Sequence, residues 1–313
     1  MDVRRLFLVL VVALAALCAG ARSSAQQPPV QDARPRFEGG IDLVTVNVTV
    51  TDADGHLVTG LPREAFEILE DAQRQTITQF TNERMPISLG VLLDISDSMF
   101  GKRIQDARLA IDRFLFDLLA PDDEFFVLAF NHMPHVLTRW TRDNTLIKGA
   151  LDGLKPFGST AAYDALVASM PLVAERSHQR AALVLISDGA DNASNVDRRG
   201  LRAALLKSDT FVYAVAIDSP DRQPINTRIN TQALREITAE NGGRTEVVQN
   251  SSDLAAATAS IAGELNSQYL LGYTSTRGVD GQFHSIRVRV AGTGYRIRAR
   301  TGYTAIPRAK KSN

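Results

Sequence analysis

The chain is nearly devoid of cysteine, since its 313 residues include one, Cys18. This residue falls within a stretch that we expect to be removed on export, so the mature protein contains no cysteine. Disulfide bonds are therefore excluded, even in an oxidising destination. The stability of the folded protein has to come from its hydrophobic core.

A long hydrophobic run is also missing. The most apolar stretch, from Leu6 to about Ala21, is shorter than the roughly 20 residues that a membrane-spanning helix needs. It follows two arginines and precedes small residues ending at Ala25, as in a cleavable secretory signal. We predict a signal peptide at residues 1–25 and a secreted or periplasmic protein that is not inserted into a membrane after cleavage. An uncleaved N-terminal anchor is the alternative.

Neither sign of charge is in excess, with 35 basic and 35 acidic residues. Removal of residues 1–25 takes away three arginines and one aspartate, which leaves 32 basic and 34 acidic residues. A net charge of about −2 provides no electrostatic attraction toward nucleic acid or an anionic membrane. We therefore expect no nucleic-acid partner.

Five oxygen-bearing side chains stand at the ends of apolar runs or in loops: Asp94, Ser96, Ser98, Thr160 and Asp188. Asp94 and Asp188 each end a run that is typical of a strand buried on both faces of a parallel sheet. Such strand ends border the ligand-binding crevice of an open α/β sheet. Two carboxylates and three hydroxyls suit a hard cation, Mg²⁺ or Mn²⁺. Singly, each residue is an ordinary turn former or helix N-cap, but together they predict a metal site.

In form and order these residues resemble the von Willebrand factor type A family, whose metal-ion-dependent adhesion site reads Asp-x-Ser-x-Ser, then Thr, then Asp. The resemblance covers about residues 86–267 and has no departure at the five positions. It implies a mostly parallel sheet flanked by helices, and a metal that binds an acidic side chain of a partner. The charges of these residues also favour an acidic partner. Two carboxylates and neutral hydroxyls leave a divalent cation under-neutralised, so it can attract an external carboxylate.

The pattern along the chain predicts the same α/β fold after residue 86, because helix-period and strand-like segments alternate. Predicted helices span residues 103–119, 143–154, 161–175, 196–206, 231–240 and 252–265. Asp143 is the expected N-cap of the second. Further strands are expected at 124–130, 135–140, 210–217 and 246–248. We predict a doubly wound, mostly parallel sheet, with residues 86–267 as one domain.

The flanking segments alternate with period two, which is typical of antiparallel strands. Strands are expected at residues 44–50, 66–70, 75–80, 269–273, 285–290 and 295–300, with a hairpin signal at Asp52–Gly55. We predict that residues 39–85 and 268–305 combine into one β-sandwich, with a flexible linker at 26–38 and a disordered tail at 306–313. Alternating arginines from Arg287 to Arg300 are expected to form one solvated face. The flanks also resemble secreted bacterial proteins with a von Willebrand factor type A-related domain.

An enzymatic function is not expected. The chain has no Gly-x-Ser-x-Gly elbow and no Gly-x-x-x-x-Gly-Lys phosphate loop. Asp94 superficially resembles the nucleophile of haloacid-dehalogenase-type phosphohydrolases, but Ser96 stands where those enzymes carry a second Asp as general acid. We therefore expect a metal-dependent adhesion or assembly module. A structural module with a stabilising metal, and such a phosphohydrolase, are the alternatives.

Overall fold

A computed structural model describes residues 43–188, 191–218 and 231–306. All of them belong to one compact unit, Ile41–Asn313. The predicted signal peptide and linker, and all of the predicted tail after residue 306, lie outside the described residues. Within the described part of the chain, no helix has the length and apolar character needed to cross a membrane.

The described residues form strands in three sheets. In chain order the strands are β1 (Leu43–Thr51), β2 (Phe66–Glu70), β3 (Gln73–Gln75), β4 (Ile77–Thr81), β5 (Ile87–Asp94), β6 (Glu124–Phe130), β7 (Pro134–Thr141), β8 (Arg180–Ser187), β9 (Phe211–Ile217), β10 (Thr245–Val248), β11 (Tyr269–Thr274), β12 (Phe283–Val290), β13 (Arg296–Arg298) and β14 (Gly302–Thr304). The α-helices are α1 (Lys102–Asp112), α2 (Thr145–Asp152), α3 (Ala162–Ala174), α4 (Arg198–Leu205), α5 (Thr231–Glu240) and α6 (Ser251–Ser267).

The central sheet has the order β10-β9-β8-β5-β6-β7, and its neighbours are parallel except for β6 and β7. Apolar clusters on both of its faces pack against the helices. The predicted α/β fold class is therefore confirmed. The chain moves from β5 to β6 on one side and later adds β8 on the other side of β5. The carboxyl ends of β5 and β8 therefore border the crevice of this sheet.

Close packing around the central strand requires glycine at position 90. A Cβ atom built on Gly90 would lie 2.4 Å from Phe126 and 2.5 Å from Leu183, which belong to the neighbouring strands β6 and β8. A glycine there lets two large side chains close over β5. This packing fixes the strand whose carboxyl end carries Asp94.

Most helix boundaries differ from the sequence prediction, and two of the differences change the local structure. The helix α1 ends at Asp112, and a π-helical segment, Arg113–Leu118, continues it. The helix expected to begin at an Asp143 N-cap begins at Thr145, with Asn144 at the N-cap position. The Asp143 carboxylate still accepts the backbone N–H of Thr145 at 3.0 Å, so its side chain stabilises the start of the helix from one residue further away.

The strands of the two flanks pair with each other. One antiparallel sheet has the order β13-β1-β11-β4 and the other β14-β12-β2-β3. Each sheet therefore contains strands from before and after the central α/β segment. One hydrophobic cluster, which includes Val46 and Ile68 from the first flank and Leu271 and Ile286 from the second, fills the space between the two sheets. The sheets together form a sandwich, as the predicted fold class required.

Three details of the flanks were predicted incorrectly. The strand expected at residues 75–80 is divided between β3 and β4, which belong to different sheets. The Asp52–Gly55 turn leads into a single bridge, Thr51 to Leu57, and β1 takes β11 and β13 as its antiparallel partners. Arg300 is buried and donates to the carbonyl oxygen of Thr45 at 2.7 Å, so the arginines do not all lie on a solvated face.

Arg298 is also part of a buried polar junction between the sandwich and the α/β segment. The Oε1 atom of Glu264 on α6 accepts from Thr49 Oγ1 at 3.0 Å and from Tyr213 OH at 2.8 Å. Its Oε2 atom accepts from Arg244 Nε at 2.9 Å and from Arg298 at 2.5 Å. These residues form the Glu264 junction, which joins β1 and β13 of the sandwich to α6 and β9.

A second polar group in the sandwich involves a buried histidine. Nδ1 of His284 is 2.8 Å from Asp71 Oδ2, and Nε2 is 3.1 Å from Asp280 Oδ1. Arg277 also lies near Asp71, and the Tyr303 ring packs beside the imidazole. Burial lowers the pKa of His284, but the hydrogen bonds and charges of the two aspartates outweigh it and raise that pKa above its ordinary value.

We predict that this histidine stabilises the sandwich more in mild acid than in base. Because folding raises the pKa of His284, its contribution to the free energy of unfolding is fully present below the unfolded-state pKa of about 6.5. This contribution is lost as the pH rises through the folded-state pKa. The advantage of wild type over His284→Gln in urea unfolding should therefore shrink as the pH rises above about 6.5. A pH-independent difference contradicts the prediction, and the exposed His56→Gln serves as the control.

Candidate metal centre

The centre is built around Asp94, the last residue of β5, which is fully buried. The neighbouring strand β8 ends at Ser187, whose hydroxyl donates to Asp94 Oδ2 at 2.6 Å. The backbone N–H of Ser96 donates to the other oxygen, Oδ1, at 2.8 Å. Both carboxylate oxygens are thus oriented by the ends of two adjacent strands. Ser187 was not among the predicted site residues.

Ser96 and Ser98 lie on the turn that follows β5. Ser96 is the N-cap of a short 3₁₀ helix, Asp97–Met99, with extended backbone angles. The two serine hydroxyl oxygens are 3.0 Å apart. The structure therefore brings the first three predicted ligands, Asp94, Ser96 and Ser98, into one contiguous group.

Asp188 directly follows β8 and is buried beside this group. Its Oδ2 atom accepts from the guanidinium of Arg103 at 3.1 Å, and the same nitrogen donates to the carbonyl oxygen of Ser98 at 2.9 Å. Arg103 is a buried residue in the first turn of α1, and sequence reasoning missed it. The signal was a basic residue in the first helical turn, where the helix dipole disfavours positive charge.

Thr160 is buried at the end of the loop before α3, and its backbone ties the loop to the segment after Asp188. The Thr160 N–H donates to Asn192 Oδ1 at 2.9 Å, and its carbonyl oxygen accepts the N–H groups of Asn192 at 2.9 Å and Ala193 at 3.0 Å. The same loop is tied to the turn after β5, because the Asp97 N–H donates to the carbonyl oxygen of Gly158 at 2.9 Å. All five predicted residues therefore lie on three connected segments at one edge of the sheet.

The electrostatics of this group favour an added positive charge. Burial raises the pKa of Asp94 to about 7, the negative charge of Asp188 adds to this rise, and hydrogen bonds from Ser187 and Ser96 oppose it. Asp188 Oδ1 is buried and accepts no hydrogen bond from the described residues. A buried carboxylate oxygen without a partner is costly. The donor set, two carboxylates and neighbouring hydroxyls, therefore fits a hard divalent cation.

A different group of ligand-type side chains lies in the turn after β1. Ligand atoms of Asp52, Asp54 and His56 all lie within 4.8 Å of one another. Asp52 Oδ1 accepts the backbone N–H groups of Asp54 at 2.9 Å and His56 at 2.8 Å, so the carboxylate already stabilises the turn. Because these contacts account for the arrangement, we assign no metal site there.

The fold and this polar group define an α/β domain with a ligand-binding edge at the carboxyl ends of its central strands. Residues 89–190 match the family model described as von Willebrand factor type A domain. The predicted resemblance to the von Willebrand factor type A family is therefore confirmed over residues 89–190. Domains of this family are generally interaction modules and not enzymes, and they often bind a divalent metal.

Several solved structures are similar to parts of this chain. A von Willebrand factor type A structure from Catenulispora acidiphila is 13% identical, with 86% of this chain and 75% of that chain covered and a TM-score of 0.50. An aerotolerance-related membrane protein from Bacteroides fragilis is 22% identical, with coverages of 57% and 98% and a TM-score of 0.48. The von Willebrand domain of the pilus tip protein Mfa5 from Porphyromonas gingivalis is 14% identical, with coverages of 58% and 96% and a TM-score of 0.48. No curated protein matched the sequence.

Proposed function

We propose that this protein is an exported, metal-dependent binding module for adhesion or assembly. Asp94, Ser96, Ser98, Thr160 and Asp188 hold Mg²⁺ or Mn²⁺, and the metal binds a carboxylate of a protein partner. The observation that carries the proposal is Asp188 Oδ1, a buried carboxylate oxygen with no hydrogen-bond donor among the described residues, beside a second buried carboxylate.

The charges of the site explain why an acidic partner is expected. Asp94 and Asp188 contribute two negative charges, and Arg103 contributes one positive charge at 3.1 Å from Asp188. A divalent cation changes this sum from about −1 to about +1, so the occupied site attracts an anion. The hydroxyl ligands are neutral and add nothing to this balance. A carboxylate from a partner supplies both the missing charge and an oxygen ligand.

Calorimetric titration of Mg²⁺ and Mn²⁺ into chelator-treated protein tests the proposal. We expect binding near one equivalent that is abolished in Asp94→Ala, because this variant removes the carboxylate at the centre of the group. Asp94→Asn, which retains the shape of the side chain, should weaken binding at least about tenfold, as expected when a charged ligand becomes neutral.

Asp52→Ala provides the matched control, because it removes a carboxylate from the other group of ligand-type side chains. It should bind metal like the wild type. If Asp52→Ala abolishes binding and Asp94→Ala does not, the metal site has been placed wrongly. A protein that is folded by circular dichroism but binds neither ion contradicts the proposal.

A further inference from the structure

Three large apolar side chains are exposed at the same edge of the sheet as the candidate metal centre. Phe100 is 63% exposed, Phe157 is 53% exposed and Met133 is 47% exposed. A single exposed apolar residue is common on protein surfaces, but several on the loops that carry one polar site are typical of an interaction surface. We call Phe100, Met133 and Phe157 the apolar rim.

Short backbone hydrogen bonds connect the segments that carry the apolar rim. The Phe157 N–H donates to the carbonyl oxygen of Ile95 at 2.9 Å, next to Ser96 of the candidate centre. The carbonyl oxygen of Met133 accepts the Asn131 N–H at 3.2 Å, and the Asn131 carbonyl oxygen accepts the Ala161 N–H at 2.7 Å, next to Thr160. The rim is thus held by the same segments as the predicted ligands.

Local contacts position two of the three rim residues. The ring of His132 lies 6.0 Å from that of Phe157 in an edge-to-face arrangement. Gly158 has a positive φ of 79°, and a Cβ atom at this position would lie 3.2 Å from His132 Nδ1. Phe100 follows directly on the 3₁₀ turn that carries Ser98 and donates its N–H to Asp97. The apolar surface is therefore built into the loops before any partner arrives.

We propose that the apolar rim selects partner segments in which the metal-binding Asp or Glu stands next to large apolar side chains. The inference rests on the proposed metal-dependent function and names the class of partner for the same site. Charge complementarity supports it, because the occupied centre carries a net charge of about +1. The loops that hold the centre also expose the apolar rim. A carboxylate with apolar neighbours matches both features, whereas a carboxylate in a polar segment leaves the rim exposed to water.

The apolar rim should contribute strongly to affinity. Aromatic side chains next to a buried polar contact are frequent hot spots of protein interfaces, since they exclude water from it. We expect Phe100→Ser/Phe157→Ser to lower the affinity for such a segment about tenfold or more, with metal binding unchanged. Neither phenylalanine is a predicted metal ligand.

A displayed library of nine-residue peptides with a central Asp or Glu and random flanks tests this inference. The full mature chain is panned in Mg²⁺ and, in parallel, in EDTA. We expect magnesium-dependent enrichment of peptides with Phe, Leu, Ile or Met beside the acidic residue. Enrichment should fall at least about tenfold on Phe100→Ser/Phe157→Ser. Phe116→Ser, an exposed phenylalanine in the π-helical segment, is the matched control and should enrich like the wild type.

The outcomes separate this inference from the metal-dependent function. Polar flanks in the enriched peptides, equal enrichment on the double variant, or no magnesium-dependent enrichment by a protein that binds Mg²⁺ in the calorimeter would each overturn the role of the rim and leave the metal site standing. Enrichment of apolar acidic peptides in EDTA that is lost on the double variant would support binding by the rim and overturn the metal dependence.

Discussion

Replacement of Arg103 by Met should destabilise the metal-free protein by about 3 kcal/mol, and Mg²⁺ should restore most of this loss. Among the described residues, Arg103 is the cation partner of the buried Asp188, at 3.1 Å. Without it, Asp188 is a buried carboxylate with no cation partner, and the neighbouring Asp94 raises the cost of its charge. Removal of one member of a buried ion pair typically costs about 3–5 kcal/mol.

Mg²⁺ is expected to restore stability because it is proposed to bind at Asp188. A divalent cation that binds only the folded state stabilises it in proportion to the logarithm of its concentration over its dissociation constant. In Arg103→Met the cation no longer experiences repulsion from a guanidinium next to Asp188, so the variant should bind Mg²⁺ more tightly than the wild type. The stabilisation by saturating Mg²⁺ should accordingly be larger in the variant.

Urea unfolding in EDTA and in saturating Mg²⁺, for wild type and variant, measures both effects. Arg199→Met is the matched control, because Arg199 also lies in the first turn of a helix but is exposed. Its unfolding free energy should change by less than about 0.5 kcal/mol. If Arg103→Met is as stable as wild type in EDTA, Arg103 does not compensate the negative charge of Asp188. If it is destabilised and Mg²⁺ has no effect, Asp188 is not a metal ligand.

The central sheet and the positions of the candidate ligands could be predicted because they depend on local sequence. The apolar runs before Asp94 and Asp188 are long enough to mark buried strands, and a strand fixes where its last residue lies. The helix predicted at 231–240 has the bounds Thr231–Glu240 in the structure for the same reason, a clear helical period. Such signals need no knowledge of distant residues.

Contacts between distant residues could not be predicted in this way. Arg103 and Asp188 are separated by 85 positions, and nothing in the sequence near either residue identifies the other. Arg298 follows a period-two pattern that is typical of a solvated strand face, yet its partner is a helix residue, Glu264, 34 positions earlier. The division of residues 73–81 into β3 and β4 likewise depends on which sheet each half joins. Tertiary structure overrides local pattern in each case.

The Glu264 junction is a second contact with a large expected effect on global stability. Glu264 is buried on α6, and its two oxygens accept from Thr49 Oγ1, Tyr213 OH, Arg244 and Arg298. Glu264→Gln keeps the shape of the side chain but removes its charge. The NH₂ group of the glutamine then faces one pair of hydrogen-bond donors, where the carboxylate had an acceptor oxygen. We expect a loss of about 3 kcal/mol in unfolding free energy, or a fall of roughly 6–10 °C in melting temperature.

A double-mutant cycle separates the interaction energy between Glu264 and Arg298 from other effects of each substitution. Because Arg298 acts through Glu264, the combination Glu264→Gln/Arg298→Met should cost less than the sum of the two single variants. Glu236→Gln is the control, since its pair with Arg198 is exposed and contributes about 0–1 kcal/mol. Calorimetric melting of the four variants gives the coupling directly. Additive losses, or a loss below about 1 kcal/mol for Glu264→Gln, would mean that hydrophobic packing alone joins the sandwich to the α/β domain.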